Sequence, residues 1–181
     1  MNLSTKAELK RDLILKAAIE FILENDFNNL TLEAVAKQAG ISKGGLLYHF
    51  PNKEALLAGL TQHIFEEFIT LFKEKAHQDP IEKGKWSRAL VELSKWDLEH
   101  NSKLNIGVLS QSLLDQDTSK AIDTTYQYVQ DKIEEDVINP VTATIIRLAI
   151  DGLYYSELLN VAPIEKELRE KVLNELLNMT K

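Results

Sequence analysis

Apolar residues recur at three- and four-residue steps through most of the chain. Leu9, Leu13, Ile14, Ala17, Ala18, Phe21 and Ile22 share one face of a helix predicted over about 5–24. Asn25-Asp26 stops it, and Phe27 is placed to fold back over the core. Thr31 is a good cap for a short helix to about Ala39, with Leu32, Val35, Ala36 and Ala39 inward. Gly40 then ends that helix, and Ser42 caps another over about 43–50. Pro51-Asn52 breaks the pattern, and Asn52 caps a long fourth helix to about Ala76 that buries Leu56, Leu57, Leu60, Ile64, Phe68 and Leu71. Five more helices are predicted at about 82–100, 103–115, 118–137, 141–160 and 164–179. Their breaks are Asn101, Gln116-Asp117, Asn139-Pro140 and Ala162-Pro163. No run alternates with period two, and no segment repeats. The chain is predicted to be all-α, with about nine helices.

The last two helices are apolar on more than one side. Val141, Ile145, Leu148, Gly152, Tyr155 and Leu159 line one side of the penultimate helix, while Ile146, Ile150, Leu153 and Leu158 lie elsewhere on it. The final helix pairs Ile164, Leu168, Val172, Leu176 and Met179 with a second row at Leu173 and Leu177. Such helices must be covered from several directions. A helix pair internal to a monomer would do this. The preferred reading is a four-helix interface across a two-fold axis, making a homodimer through Ile145, Leu148, Gly152, Tyr155, Leu168, Val172 and Leu176.

Composition narrows the chemistry. The 181 residues contain no cysteine, which removes disulfides, zinc fingers, iron–sulfur clusters and thiol nucleophiles. No apolar run reaches membrane-spanning length, and Met1 to Arg11 lacks the apolar segment of a signal peptide, so a cytoplasmic protein is expected. The net charge of −7 argues against nucleic acid, but its distribution does not. Residues 1–60 carry seven basic and seven acidic side chains. The whole acidic excess falls in 61–181, with 14 basic against 21 acidic. This suggests two domains with different partners, divided at about 1–56 and 57–181.

The stretch from Thr31 to Phe50 meets the requirements of a helix-turn-helix. A small residue, Ala36, stands where two helices cross closely. Gly40 takes the turn, Ile41 plugs the corner, and Ser42 starts the second helix. That second helix would enter the major groove of double-stranded DNA while the first spans the backbone.

The same residues resemble the TetR-like family of transcriptional regulators. Its pattern is supplied by Thr31, Leu32, Val35, Ala36, Ala39, Gly40, Ile41, Ser42, Gly44, Leu46, His49, Phe50, Lys53, Glu54 and Leu56. The likeness covers about residues 10–57, with a fainter one around Asp151-Gly152-Leu153 to the dimerisation helices of some members. It implies an N-terminal three-helix DNA-binding domain and a C-terminal helical bundle for dimerisation and effector sensing. It also implies a bacterial repressor released from its operator by a small molecule. One departure stands out: Leu47 occupies the family's usual tyrosine position, and Tyr48 follows one residue later, about 100° round the helix. The sequence leaves open which of the two meets phosphate.

The DNA-contact candidates are Thr31, Ser42, Lys43, Gly44, Gly45, Leu47, Tyr48, His49 and Lys53. Lys43 and Lys53 begin helices, whose free N–H groups attract phosphate. Gly44 and Gly45 each disfavour helix by roughly 1 kcal/mol relative to alanine. A frayed first turn would tolerate that; the preferred reading is that the bare backbone approaches the groove. Lys6, Lys10 and Arg11 could form a basic arm. A two-fold dimer would read half-sites about 34–36 Å apart, or a multiple.

For the effector, whose identity the sequence does not give, the family resemblance implies a cavity between central helices, with Trp86, Trp96 and Tyr126 as candidate lining. No polar cluster is evident, which favours an apolar compound. The long fourth helix joins the two regions and is the natural lever for a population shift. Catalysis is not expected. Asp97 with His100, and His63 with Glu66 and Glu67, have the spacing of di-metal ligands, but Glu-x-x-His is absent and so is every nucleophile or phosphate-loop motif. No metal or cofactor is expected. The alternative function is a helical dimeric module that binds protein partners and no operator.

Overall fold

The computed structural model describes residues 5–112 and 116–181. Residues 1–4 of the polar N-terminus, and the helix end expected at Asp115, lie outside them. Among the described residues eight α-helices follow in order: α1 Lys6–Glu24, α2 Leu32–Gln38, α3 Lys43–His49, α4 Lys53–Gln78, α5 Lys85–Ser112, α6 Gln116–Glu134, α7 Pro140–Leu158 and α8 Lys166–Asn178. A 3₁₀ turn, Phe27–Asn29, separates α1 from α2. No strand occurs among the described residues.

The helix expected to break at Asn101 does not break. Asn101 lies inside α5, and its Nδ2 donates to Asp97 Oδ1 one turn back, at 2.8 Å. A helix-interior partner replaces the local backbone contact that makes asparagine a poor helix former. This fusion of two expected helices accounts for eight rather than nine.

Local caps fix most boundaries. Thr5 and Glu8 form a reciprocal capping box at α1. Asn52 Oδ1 accepts from Ala55 N at α4, and Asn139 with Pro140 starts α7. The N-terminus of α5 is held from a distance. Buried Asp136, between α6 and α7, accepts from the backbone N of Trp86 and Ser87 and from Ser87 Oγ at 2.7–3.0 Å.

The chain forms two compact units. The first is Met1–Ile64 with Lys103–Ala121; the second is Phe65–Ser102 with Ile122–Lys181. The first unit's core joins Ile14, Leu15, Ala18 and Ile22 of α1 to Val35, Ala36, Leu46, Phe50, Leu56, Leu60 and Leu104. Gly107 of α5 also belongs here: a Cβ on it would fall 2.0 Å from the Phe27 ring, so only glycine admits that ring. Leu9 and Leu13, expected on the inner face of α1, are instead 60% and 46% exposed. Leu15 takes the inward position, because the buried stripe is rotated toward it. The second unit packs Phe72, Trp86, Leu90, Leu93, Val129 and Ile133 in one cluster and Val91, Ile146, Ile150, Leu173 and Leu176 in another.

Candidate nucleic-acid interface

The α2–α3 turn is built by its own sequence. Gly40 has φ +65°, a left-handed value that side chains disfavour. Its N–H donates to Lys37 O at 3.1 Å, and Ile41 N–H donates to Ala36 O at 3.0 Å. These two bonds are the Schellman closure of α2, with Ile41 turned onto the core. Thr31 Oγ1 accepts from Ala34 N, and Ser42 Oγ accepts from Gly45 N, each at 3.1 Å. Both short helices are therefore closed by polar groups of the same 20-residue segment. Buried Leu46 and Phe50 anchor α3 from beneath. The Phe50 ring lies 5.2 Å under the Arg11 guanidinium and against Gly59, where a Cβ would come within 2.7 Å of it.

The opposite side of α3 faces solvent. Tyr48 is 82% exposed, whereas Leu47 is only marginally so. His49 is half-buried, its ring edge-on to Tyr48 at 5.1 Å. Gly44 is exposed, and a Cβ there would meet nothing within 4 Å. At Gly45 a Cβ would lie 3.3 Å from the capping Ser42 Oγ, so this glycine suits the cap. Thr31 and Ser42 are exposed cap residues, and Lys53 is half-buried at the start of α4. Lys43 Nζ pairs with Glu33 Oε1 of α2 at 2.6 Å. That hydrogen bond holds the Glu33 carboxyl below its ordinary range. Glu33 was not among the sequence candidates; a contact ten residues apart across a turn leaves no periodic signal.

In the second unit, one side of α7 is left uncovered by the described residues. Val141, Ile145, Leu148, Gly152 and Leu159 are exposed, and Tyr155 is half-buried. Their spacing of four, three, four, three and four is that of a helix–helix seam. A Cβ on Gly152 would again meet nothing within 4 Å. On α8, Leu168 is exposed and Val172 half-buried. Leu176 corrects the expected interface: it is 5% exposed, packed with Ile146 and Ile150 in the chain's own core. Periodicity marked α8 as apolar on two sides without telling which side the chain itself covers.

The three aromatic residues expected around an effector do not converge. Trp86 is buried against Phe72 and His77. Exposed Trp96 stacks on His100. Tyr126 O–H meets Tyr155 O–H at 3.0 Å, and burial, then Tyr155, raises its pKa. A small cleft of about 30 Å³ opens elsewhere among the described residues, between α5, α7 and α8. Leu98, Ile150, Leu153 and Leu173 supply its apolar surface, with Lys95, Glu99, Tyr154 and Arg169 around it. Tyr154 O–H donates to Asp97 Oδ2 at 2.6 Å, and burial, then Asp97, raises the tyrosine's pKa. His63 faces Asp12 at 3.9 Å. Among the described residues, no group of three or more metal-ligating side chains is assembled, and no helix is long and apolar enough to cross a membrane.

Residues 84–181 match the tetracyclin repressor-like C-terminal domain, and residues 14–60 match the bacterial regulatory proteins of the tetR family. The chain belongs to the TetR family. Matched relatives of this TetR-family chain are described as regulators rather than enzymes. The HTH-type transcriptional regulator UidR of Escherichia coli K12 is 37% identical over 73 residues, covering 40% of this chain and 37% of UidR. The match thus spans little more than a third of that relative. A TetR transcription regulator from Haloarcula marismortui shares the fold at a TM-score of 0.73 and 15% identity, over 94% of this chain and 96% of that one. The multidrug binding protein EbrR, in a crystal structure with ethidium, has a TM-score of 0.64 at 20% identity, over 92% and 98% of the two chains.

Proposed function

We propose that this chain is a homodimeric, DNA-binding transcriptional regulator that occupies a two-fold operator through α3 and releases it on binding a small molecule. The observation that carries the reading is the α2–α3 segment. Its turn is closed and capped by local bonds, its inner side is anchored, and its outer side presents Tyr48 and a bare Gly44 to solvent. Among the described residues nothing occupies the space beside Gly44, so none of them explains the missing side chain. A groove wall approaching the backbone supplies one.

Dimerisation rests on α7. A heptad-spaced apolar seam in water is unfavourable, and a second copy of the same helix would cover it across a two-fold axis. Gly152, at the middle of the seam, would let the two helices approach closely. The small α5–α7–α8 cleft supports an apolar effector. Ligand sites usually enclose about 300–1,000 Å³, so side chains around Leu153 and Tyr154 must move to admit one. Repression, rather than activation, is the commoner expectation from the family.

Selection of duplexes from random DNA by the purified chain tests this function. A palindromic motif with half-sites about one helical turn apart, or a multiple, is expected. No enrichment from a sample shown to be folded and dimeric would overturn operator binding.

A further inference from the structure

The Lys43–Glu33 pair places a carboxylate on the surface that the preceding reading assigns to DNA. Glu33 lies in the first turn of α2 and Lys43 at the first position of α3, 2.6 Å apart across the turn, and both side chains are more than half exposed. An acid on a DNA-facing surface repels phosphate unless a cation answers it. Here the answering cation is the one that opens the recognition helix. We propose that Glu33 is a specificity-determining residue: it holds Lys43 away from phosphate, so that the lysine adds to discrimination between base sequences and little to general affinity for DNA. The inference rests on the DNA-binding reading above.

Counterion release sets the size of the effect. A lysine that neutralises a phosphate releases a condensed cation and steepens the salt dependence of binding by about 0.9 in log K per log salt. A lysine already neutralised by Glu33 releases none. The pair therefore spares the protein one increment of sequence-independent attraction, while leaving the remaining ammonium hydrogens for a base acceptor in the groove. Surface ion pairs contribute little to stability, so this pair's effect belongs to binding rather than to folding. The hydrogen bond from Lys43 lowers the pKa of the Glu33 carboxyl, so the carboxylate is the form that faces the lysine.

The test compares full-length wild type, Glu33→Gln, Lys43→Met and the double variant. Each is titrated with a duplex enriched from random sequence and with an unrelated duplex, over 50–200 mM salt. The expected result for Glu33→Gln is a gain of about three- to tenfold on unrelated DNA, a salt slope steeper by about 0.9, and a fall in the ratio of specific to unrelated affinity. In the Lys43→Met background Glu33→Gln should leave the ratio of specific to unrelated affinity unchanged, because relief of carboxylate repulsion acts on both duplexes alike and no ammonium is freed. A ratio that falls as much without Lys43 would show that the carboxylate acts on its own and overturn the proposal. So would an unchanged slope and ratio in Glu33→Gln. Nuclear magnetic resonance titration of the Glu33 carboxyl gives an independent reading without DNA: an ordinary pKa, unmoved by Lys43→Met, would remove the pair itself. Wild type that binds neither duplex would instead overturn the DNA-binding reading, and this inference with it.

Discussion

Gly44 on α3 and Gly152 on α7 are alike in one respect: each occupies a helix, and each has empty space where a Cβ would stand. Their surroundings differ. Gly44 is flanked by Lys43 and by the exposed Tyr48 on a short polar surface. Gly152 lies among exposed Ile145, Leu148 and Leu159. Gly107 gives the contrast, since the Phe27 ring already fills the room its missing side chain leaves. A glycine packed against its own chain is explained by that chain. One that faces empty space and still disfavours helix by about 1 kcal/mol points to something outside it. On the proposed function the neighbours distinguish the two, with a polar, phosphate-bearing surface at Gly44 and an apolar helix at Gly152.

The largest effect is expected from a charge on the apolar surface of α7. Leu148→Glu is expected to raise the dimer dissociation constant at least about 100-fold, because two unpaired carboxylates would be buried near the two-fold axis. Leu148 is 56% exposed in the single chain, so the monomer should remain folded. Sedimentation of the variant at micromolar concentration checks this, with circular dichroism as the control. A dimer of unchanged affinity would mean that the seam faces something other than its copy. The polar surface is tested next by Tyr48→Ala. A lost hydrogen bond to a charged phosphate corresponds to roughly tenfold in affinity. Thermal stability should not move, because the ring is almost wholly in solvent. Binding titrations and a melting curve on the same preparation separate the two quantities. Wild-type affinity would remove Tyr48 from the interface and leave Leu47 as the alternative.

The sequence was most informative where structure is local. Ala36, Gly40, Ile41 and Ser42 lie within seven residues of each other, and the bonds that close and cap their turn reach no further than Leu46. Residue type alone therefore specifies the geometry. The seam on α7 was legible for a related reason, since seven-residue spacing is a property of one helix. Failures came where a distant partner decides. Leu9 and Leu13 read as inward, but the surrounding elements cover Ile14, Leu15 and Ala18 instead. Leu176 read as outward, but α7 already covers it. Asn101 read as a break because the sequence does not show that Asp97 will accept its amide. Trp86, Trp96 and Tyr126 looked alike as large aromatic residues in a helical region, yet each is satisfied by a different neighbour. Periodicity shows that a side of a helix is apolar; it does not show what lies across from it.

A milder substitution tests where along α7 two copies would cross. Gly152→Ala should stabilise α7 by about 1 kcal/mol in the Leu148→Glu monomer, since the added methyl meets open space. In the otherwise native dimer the same methyl would sit twice at the helix crossing, and a several-fold weaker dimer is expected. Opposite signs in the two backgrounds would place the crossing at Gly152. Stabilisation in both would put the crossing elsewhere along the seam.

The smallest effect belongs to Gly44→Ala, and it is the most discriminating for the DNA-facing surface. In the free chain none of the described residues stands within 4 Å of the new methyl, and its expected consequence is helix propensity. The gain is at most about 1 kcal/mol, and less in a first turn, where the backbone is held partly by the Ser42 cap. If the groove wall closes on the bare backbone, that methyl must push it away, and operator affinity should fall while the melting temperature rises by a few degrees. A frayed first turn predicts the reverse coupling: a helix better formed before binding leaves less order to impose on association, so affinity would rise with stability. Melting curves and operator titrations of this one variant, read together, therefore separate a glycine kept for its partner from a glycine merely tolerated by its helix.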